Sequence, residues 1–220
     1  NYIVKNKRNL AITFMFLSFC FNLKSQNMEL GLLGGVGVTS LYGDYSLNNE
    51  PKIGYAIGIN FKYIKDKLSF GTNVLYERKG DMYQIDVTTP SDPDNSIGTA
   101  DVSRNFNYLT IPILIGYRFG SQRKIGVNLG PYSSFLISQN TVTEFNSEKS
   151  ELDDSQSWQN YDFGITSSID YQIGITDYLN LSIEGRYNIG ITDILQVENT
   201  DWTFKNQSLL FLVGINYLIK

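Results

Sequence analysis

The side chains best suited to chemistry in this chain are carboxylates, and they lack the usual base. Glu77 and Asp162 could in principle share general acid and base roles, as paired acids do in hydrolases. Histidine is absent from all 220 residues, which excludes Ser/His/Asp, Cys/His and histidine-containing metal sites. Lys52 and Lys79 flank the two acids, so the pair reads as part of an ion-pair cluster rather than as a catalytic dyad. The glycine run "GGVG" opens no strand-turn-helix unit and has no lysine in the phosphate-binding position. With 18 basic against 22 acidic residues and no basic stripe, nucleic acid is not an expected partner. No enzymatic activity, cofactor or metal site is expected.

The elements that hold these groups are legible from alternation. In "KIGYAIGINFKYI", Lys52 to Ile64, the odd positions are Ile53, Tyr55, Ile57, Ile59, Phe61 and Tyr63, whereas the even positions from Lys52 to Lys62 are glycine, alanine, asparagine or lysine. Successive side chains of a strand point to opposite faces, so this is a β-strand with one apolar face. Similar runs cover Met28 to Val38, Leu68 to Arg78, Tyr108 to Phe119, Ile125 to Ile137, Tyr161 to Ile173, Leu179 to Ile191 and Ser208 to Ile219. Each is long enough to cross a bilayer at a tilt. The connections alternate between tight turns ("IKDK", "GSQRK", "GITDY") and long loops (the segment after Val38, Gly80 to Asn107, Ser138 to Asn160, Thr192 to Gln207). That asymmetry predicts an all-β, eight-stranded antiparallel up-and-down transmembrane β-barrel with short periplasmic turns and long extracellular loops.

The polar parity of these strands should face the lumen. It carries Lys52, Lys62, Glu77, Lys79, Arg118, Asp162, Asp170, Glu184 and Arg186, interleaved with glycines that relieve crowding. An eight-stranded barrel is just wide enough for its own side chains, so these charges should pair with one another in a structural network. Arg186 and Glu184 sit at i and i+2, and the carboxylate partner of Arg186 is expected on the preceding strand or across the lumen. The other parity places Phe61, Tyr63, Phe70, Tyr117, Phe119, Tyr171 and Tyr217 near the short turns, and Tyr55, Tyr76, Phe135, Tyr161 and Phe163 near the long loops. Two such belts mark two membrane interfaces.

Residues 1–25 have the order of a secretory signal peptide: Lys5, Lys7 and Arg8, the apolar run Leu10 to Leu23, then small Ser25. Residues 26–220 would then form the barrel domain. The only cysteine, Cys20, falls in the leader, so the mature chain has no disulfide. The loops are acidic: Glu144, Glu148, Glu151, Asp153 and Asp154 stand against Lys149, and Asp81, Asp86, Asp92, Asp94 and Asp101 against Arg104. Their spacing matches no calcium loop, although a weak divalent-cation contact has the oxygen ligands it would need. Tyr83, Phe145, Trp158 and Trp202 are the candidate loop contacts for a partner or glycan.

"GGVGVTSLYGD", "NYLTIPILIGYRFG", "GVNLGPYSSFLIS", "RYNIGITDI" and the closing "GINY" together resemble the PorT-like outer-membrane β-barrel proteins of Bacteroidetes. The resemblance covers nearly all of the mature chain and is most specific at the Asn-Tyr-Leu-x-Ile-Pro strand, where Pro112 should mark a bulge or local break in the ladder. It implies an integral outer-membrane protein without shared catalytic residues, whose name-giving member is linked with protein secretion. The expected role is a structural or accessory interaction subunit of an outer-membrane assembly, secretion or uptake complex. The alternative is a small-solute porin or ligand-binding barrel. Expected partners are outer-membrane lipid and other outer-membrane or cell-surface proteins.

Overall fold

The computed structural model describes residues 28–43, 49–120, 122, 124–196 and 202–219, and the expected leader lies outside them. Among the described residues nine strands follow one another: β1 (Met28–Tyr42), β2 (Glu50–Lys65), β3 (Leu68–Thr89), β4 (Asp92–Phe119), β5 (Ile125–Phe145), β6 (Glu148–Asp153), β7 (Tyr161–Gly174), β8 (Leu179–Gly190) and β9 (Lys205–Ile219). All pairings are antiparallel. Eight strands form a ring in the order β1-β2-β3-β4-β5-β7-β8-β9, which closes where β1 pairs with β9 from Met28↔Ile219 to Tyr42↔Lys205. Closure leaves the ring without an unpaired edge, the condition for strands to cross a bilayer.

Alternation decides which way each side chain points. Along β9, Leu209, Phe211, Val213, Ile215 and Tyr217 are exposed while Ser208, Leu210, Leu212 and Asn216 are buried. The same inversion holds around the ring, with Ile53 and Ile57 more than half exposed and Glu77, Asp162 and Asp170 buried. A continuous apolar exterior of this size is incompatible with water as the surrounding medium. Tyr55 and Tyr76 pair at the long-loop end and Tyr117 and Phe119 at the short-turn end, as the two belts require.

Two of the expected long loops are largely strand. β3 and β4 continue through Gly80 to Asn107 as one hairpin, with Pro90 and Ser91 at the tip between Thr89 and Asp92. β5 runs on to Phe145 and folds back as β6 through a two-residue turn in which Asn146 and Ser147 have φ of 50° and 68°. Beyond Met82, where β2 stops pairing with β3, and Phe135, where β7 stops pairing with β5, these strands leave the ring as a four-stranded sheet, β3-β4-β5-β6. Beyond its base, where Ala100 and Val102 are buried, the extension is largely exposed on both faces, so its pairing rests mainly on backbone hydrogen bonds.

Pro112 interrupts the ladder without shifting it. Pairing lapses beside it on β3, between Thr72↔Ile113 and Leu75↔Thr110, with the register unchanged. The missing N–H accounts for the gap, and Thr72 Oγ1 donates to the Pro112 carbonyl at 2.8 Å. The register shift between β4 and β5 lies at Asn107/Tyr108 instead. Sidedness is testable here: cysteines placed at Asn95 and Ser147 are expected to react with a membrane-impermeant thiol reagent on intact cells, and one at Asp66 is not. The reverse pattern would invert the barrel.

Candidate functional site

Buried polar and charged side chains meet inside the ring at several levels. At the short-turn end, Glu29 on β1 accepts from Gln172 Nε2 at 2.7 Å and Asn180 Nδ2 at 3.3 Å. One layer inward, Asp170 on β7 gathers Lys62 Nζ (3.2 Å), Arg118 Nη2 (3.0 Å) and Asn128 Nδ2 (2.9 Å). Gly126 makes this possible, because a Cβ there would lie 2.6 Å from Asp170 Oδ1 and 2.8 Å from Arg118 Nη1. In the middle, Arg186 donates to Glu184 at 2.8 Å and reaches across to Asn73 Oδ1 on β3 at 2.7 Å. Its carboxylate is thus the i−2 neighbour on its own strand rather than a residue of the preceding strand. Same-face neighbours in a strand are close enough for the pair to form locally, and the group across the lumen is a neutral amide.

Beside this network runs an apolar column that parity alone had not placed: Leu33, Ala56, Leu75, Leu210 and Leu212 pack together inside the ring. Nearer the long loops, Lys79 Nζ lies 3.4 Å from Asp162 Oδ2 and 3.8 Å from Glu77 Oε2. The rings of Tyr132 and Tyr108 lie 4.8 and 5.2 Å from it. Gly164 leaves room for the Tyr132 ring, whose Cε1 would lie 2.5 Å from a Cβ at that position. Lys52, expected in the same network, instead donates to Ser103 Oγ and Asn105 Oδ1. The other expected members, Lys62, Glu77, Lys79, Arg118, Asp162, Asp170, Glu184 and Arg186, each lie in an ion pair.

Above that layer an aromatic plug closes the mouth. Leu41, Phe106, Tyr108, Trp158, Ile194 and Phe204 form one buried cluster, with Phe106 and Trp158 edge to face at 4.7 Å. Segment 154–160 brings Trp158, and segment 192–196 brings Ile194; Gln159 N donates to Ile194 O and Gln196 N to Ser157 O. Asp193 Oδ1 accepts from the amides of Leu195 and Phe204, fixing the second segment to the residue that precedes β9. Arg104 crowns the plug, paired with Asp81 through two hydrogen bonds and standing 4.7 Å from the Tyr83 ring, 5.1 Å from Phe204 and 5.5 Å from Trp158. The sequence places Asp81 and Arg104 among the loop charges, whereas the continuation of β3 and β4 pairs them and buries both. Burial pushes the Tyr83 phenol above its ordinary pKa.

The four candidate loop contacts separate accordingly. Trp202 is exposed, Tyr83 and Phe145 are half-buried, and Trp158 is buried in the plug. Trp158 is therefore a packing residue, because its segment folds down over the mouth. On the outer sheet, Ser155 donates to Asp153 through its hydroxyl and its amide and holds that carboxyl below the usual range. Among the described residues no group of three or more acidic, thiol or imidazole side chains converges as metal ligands would.

The closed ring, lipid-suited exterior and polar, side-chain-filled interior define an outer-membrane-type β-barrel. A family model described as "Outer membrane protein beta-barrel domain" matches residues 24–196, and the chain belongs to that family, whose place is the outer membrane. Among solved structures, Neisserial surface protein A of Neisseria is similar at 15% identity and a TM-score of 0.44, over 86% of this chain and 97% of that one. Ail, the attachment invasion locus protein of Yersinia pestis, is similar at 9% identity and a TM-score of 0.38, over 87% and 98%. OprG of Pseudomonas aeruginosa is similar at 12% identity and a TM-score of 0.40, over 87% and 96%. None of the curated proteins compared with the chain matches it.

Proposed function

We propose that this barrel is a non-catalytic accessory subunit of an outer-membrane assembly, secretion or uptake complex, of the PorT-like kind. The observation that carries the reading is the contrast between its two halves. Within the ring the lumen is occupied by the largest buried side chains, among them Arg118, Arg186, Tyr108, Tyr132, Lys79 and Phe106, and the plug covers its mouth. A lumen packed in this way offers no solute path. Outside the ring, β3 to β6 build a sheet whose last strand, β6, is exposed at every residue. Such a sheet suits contact with another outer-membrane or cell-surface protein. The absence of histidine removes the base that most hydrolytic barrels would need.

Conductance across a planar bilayer tests the reading. The purified, folded barrel is expected to give no resolved current steps, and cross-linking in native membranes is expected to trap a partner that is lost when residues 83–101 are replaced by a short turn. Steady unitary conductance would overturn the proposal in favour of a small-solute pore.

A further inference from the structure

Lys79, Asp162 and Glu77 are more than an ion triad. All three are buried, at 2%, 0% and 0% exposure, and they come from strands that do not pair with each other: Glu77 and Lys79 from β3, Asp162 from β7. We propose that Lys79 and Asp162 condense to an intramolecular isopeptide bond, with Glu77 as proton carrier, tying β3 to β7 across the lumen.

The geometry supplies each requirement of that reaction. The nucleophile, Lys79 Nζ, rests against the Asp162 carboxyl, 3.4 Å from Oδ2. Asn206 Nδ2 donates to the same oxygen at 3.0 Å and the Tyr132 hydroxyl at 3.2 Å, so two donors polarise the carboxyl and hold the oxyanion that attack at Cγ creates. Glu77 Oε1 is anchored by Ser208 Oγ at 3.1 Å and Asn188 Nδ2 at 3.5 Å. Its Oε2 is buried, has no hydrogen-bond partner among the described residues and lies 3.8 Å from Lys79 Nζ. That oxygen is free to take a proton from the ammonium.

The steps balance without an oxidant or a co-reactant. Glu77 takes one proton from the Lys79 ammonium, and the free amine attacks Cγ of Asp162. Glu77 delivers that proton and then a second from the nitrogen to one Asp162 oxygen, which leaves as water while the Nζ–Cγ amide forms. Glu77 ends as it began, a carboxylate. Condensation removes one buried ammonium and one buried carboxylate, both costly to keep away from water, and discharges water from a pocket walled by Tyr108 and Tyr132. Two acids facing one lysine become a neutral amide beside one hydrogen-bonded acid.

The test uses the full chain purified from native outer membranes and digested for peptide mass spectrometry, a readout independent of where the mature chain begins. The expected result is a branched peptide joining the segment around Lys79 to the segment around Asp162, one water lighter than the sum of the two. Glu77→Gln keeps the side-chain shape and is expected to give a folded barrel whose two segments are recovered separately. Lys79→Met, which strands both acids, is expected to fold less well, and in the fraction that folds the two segments are recovered separately. Separate, full-mass segments from folded wild-type protein would overturn the proposal, and a branched peptide in Glu77→Gln would remove Glu77 from it.

Discussion

Replacing Arg118 with methionine is expected to destabilise the folded barrel by about 3 to 5 kcal/mol, the cost of stranding one member of a buried ion pair. Asp170, its partner at 3.0 Å, has a fully buried side chain. Lys62 and Asn128 would remain beside that carboxylate, but Lys62 enters from a partly exposed position with 13% of its side chain accessible. Lys62→Met should accordingly cost less, because the guanidinium stays. The double variant Arg118→Met with Asp170→Asn is expected to recover part of the loss, since no charge is then left uncompensated. Unfolding by denaturant in detergent or vesicles, followed by heat-modifiable gel mobility, measures all three. A loss within the 0 to 1 kcal/mol of a surface pair would show that water reaches Asp170.

That layer also shows how far parity alone can be carried. Asp170, Arg118 and Lys62 were legible because a bilayer imposes strict alternation: every second residue of β2, β4 and β7 must be acceptable to lipid, so the remainder must face the lumen. Which lumen charges meet is a separate matter, set by the stagger of the strands. Stagger sends Lys52 to Ser103 and Asn105, and leaves Arg186 to its own neighbour Glu184. Above the ring the constraint lapses. β3 and β4 continue through Asp81, Asp86 and Asp101 as a hairpin announced only by a short alternation, Tyr83, Ile85 and Val87 against Gln84, Asp86 and Thr88, set among acidic residues that read as loop, and β6 is too short and polar to read as a strand. A signal was present there in the two-residue turn at Asn146–Ser147, whose positive φ values suit Asn and mark a hairpin. The burial of Trp158 escapes the sequence for a related reason. A tryptophan in an acidic, serine-rich stretch gives no hint that its segment folds back over an aromatic cluster, and only the contacts with Phe106 and Phe204 reveal it.

Ile57→Arg is expected to destabilise the membrane-inserted state by about 2 to 4 kcal/mol, the cost of a cation held at mid-bilayer on the lipid face of a barrel. Exposure cannot be the reason for that cost. Ile57 is 62% exposed and Leu152, on β6 of the projecting sheet, is 64% exposed, so the two side chains are almost equally free of protein contact. What differs is the medium. Ile57 sits mid-strand on β2, opposite Gly34 on β1 and Tyr76 on β3, inside the closed ring, whereas Leu152 pairs with Thr141 beyond the point where β5 leaves it. Leu152→Arg is therefore expected to change stability by less than about 0.5 kcal/mol, as an ordinary surface substitution in water does. Equilibrium refolding into lipid vesicles, with both variants compared in one lipid composition, separates the media. Equal costs at the two positions would place the projecting sheet in the membrane, and a silent Ile57→Arg would put the apolar exterior of the ring against something other than lipid.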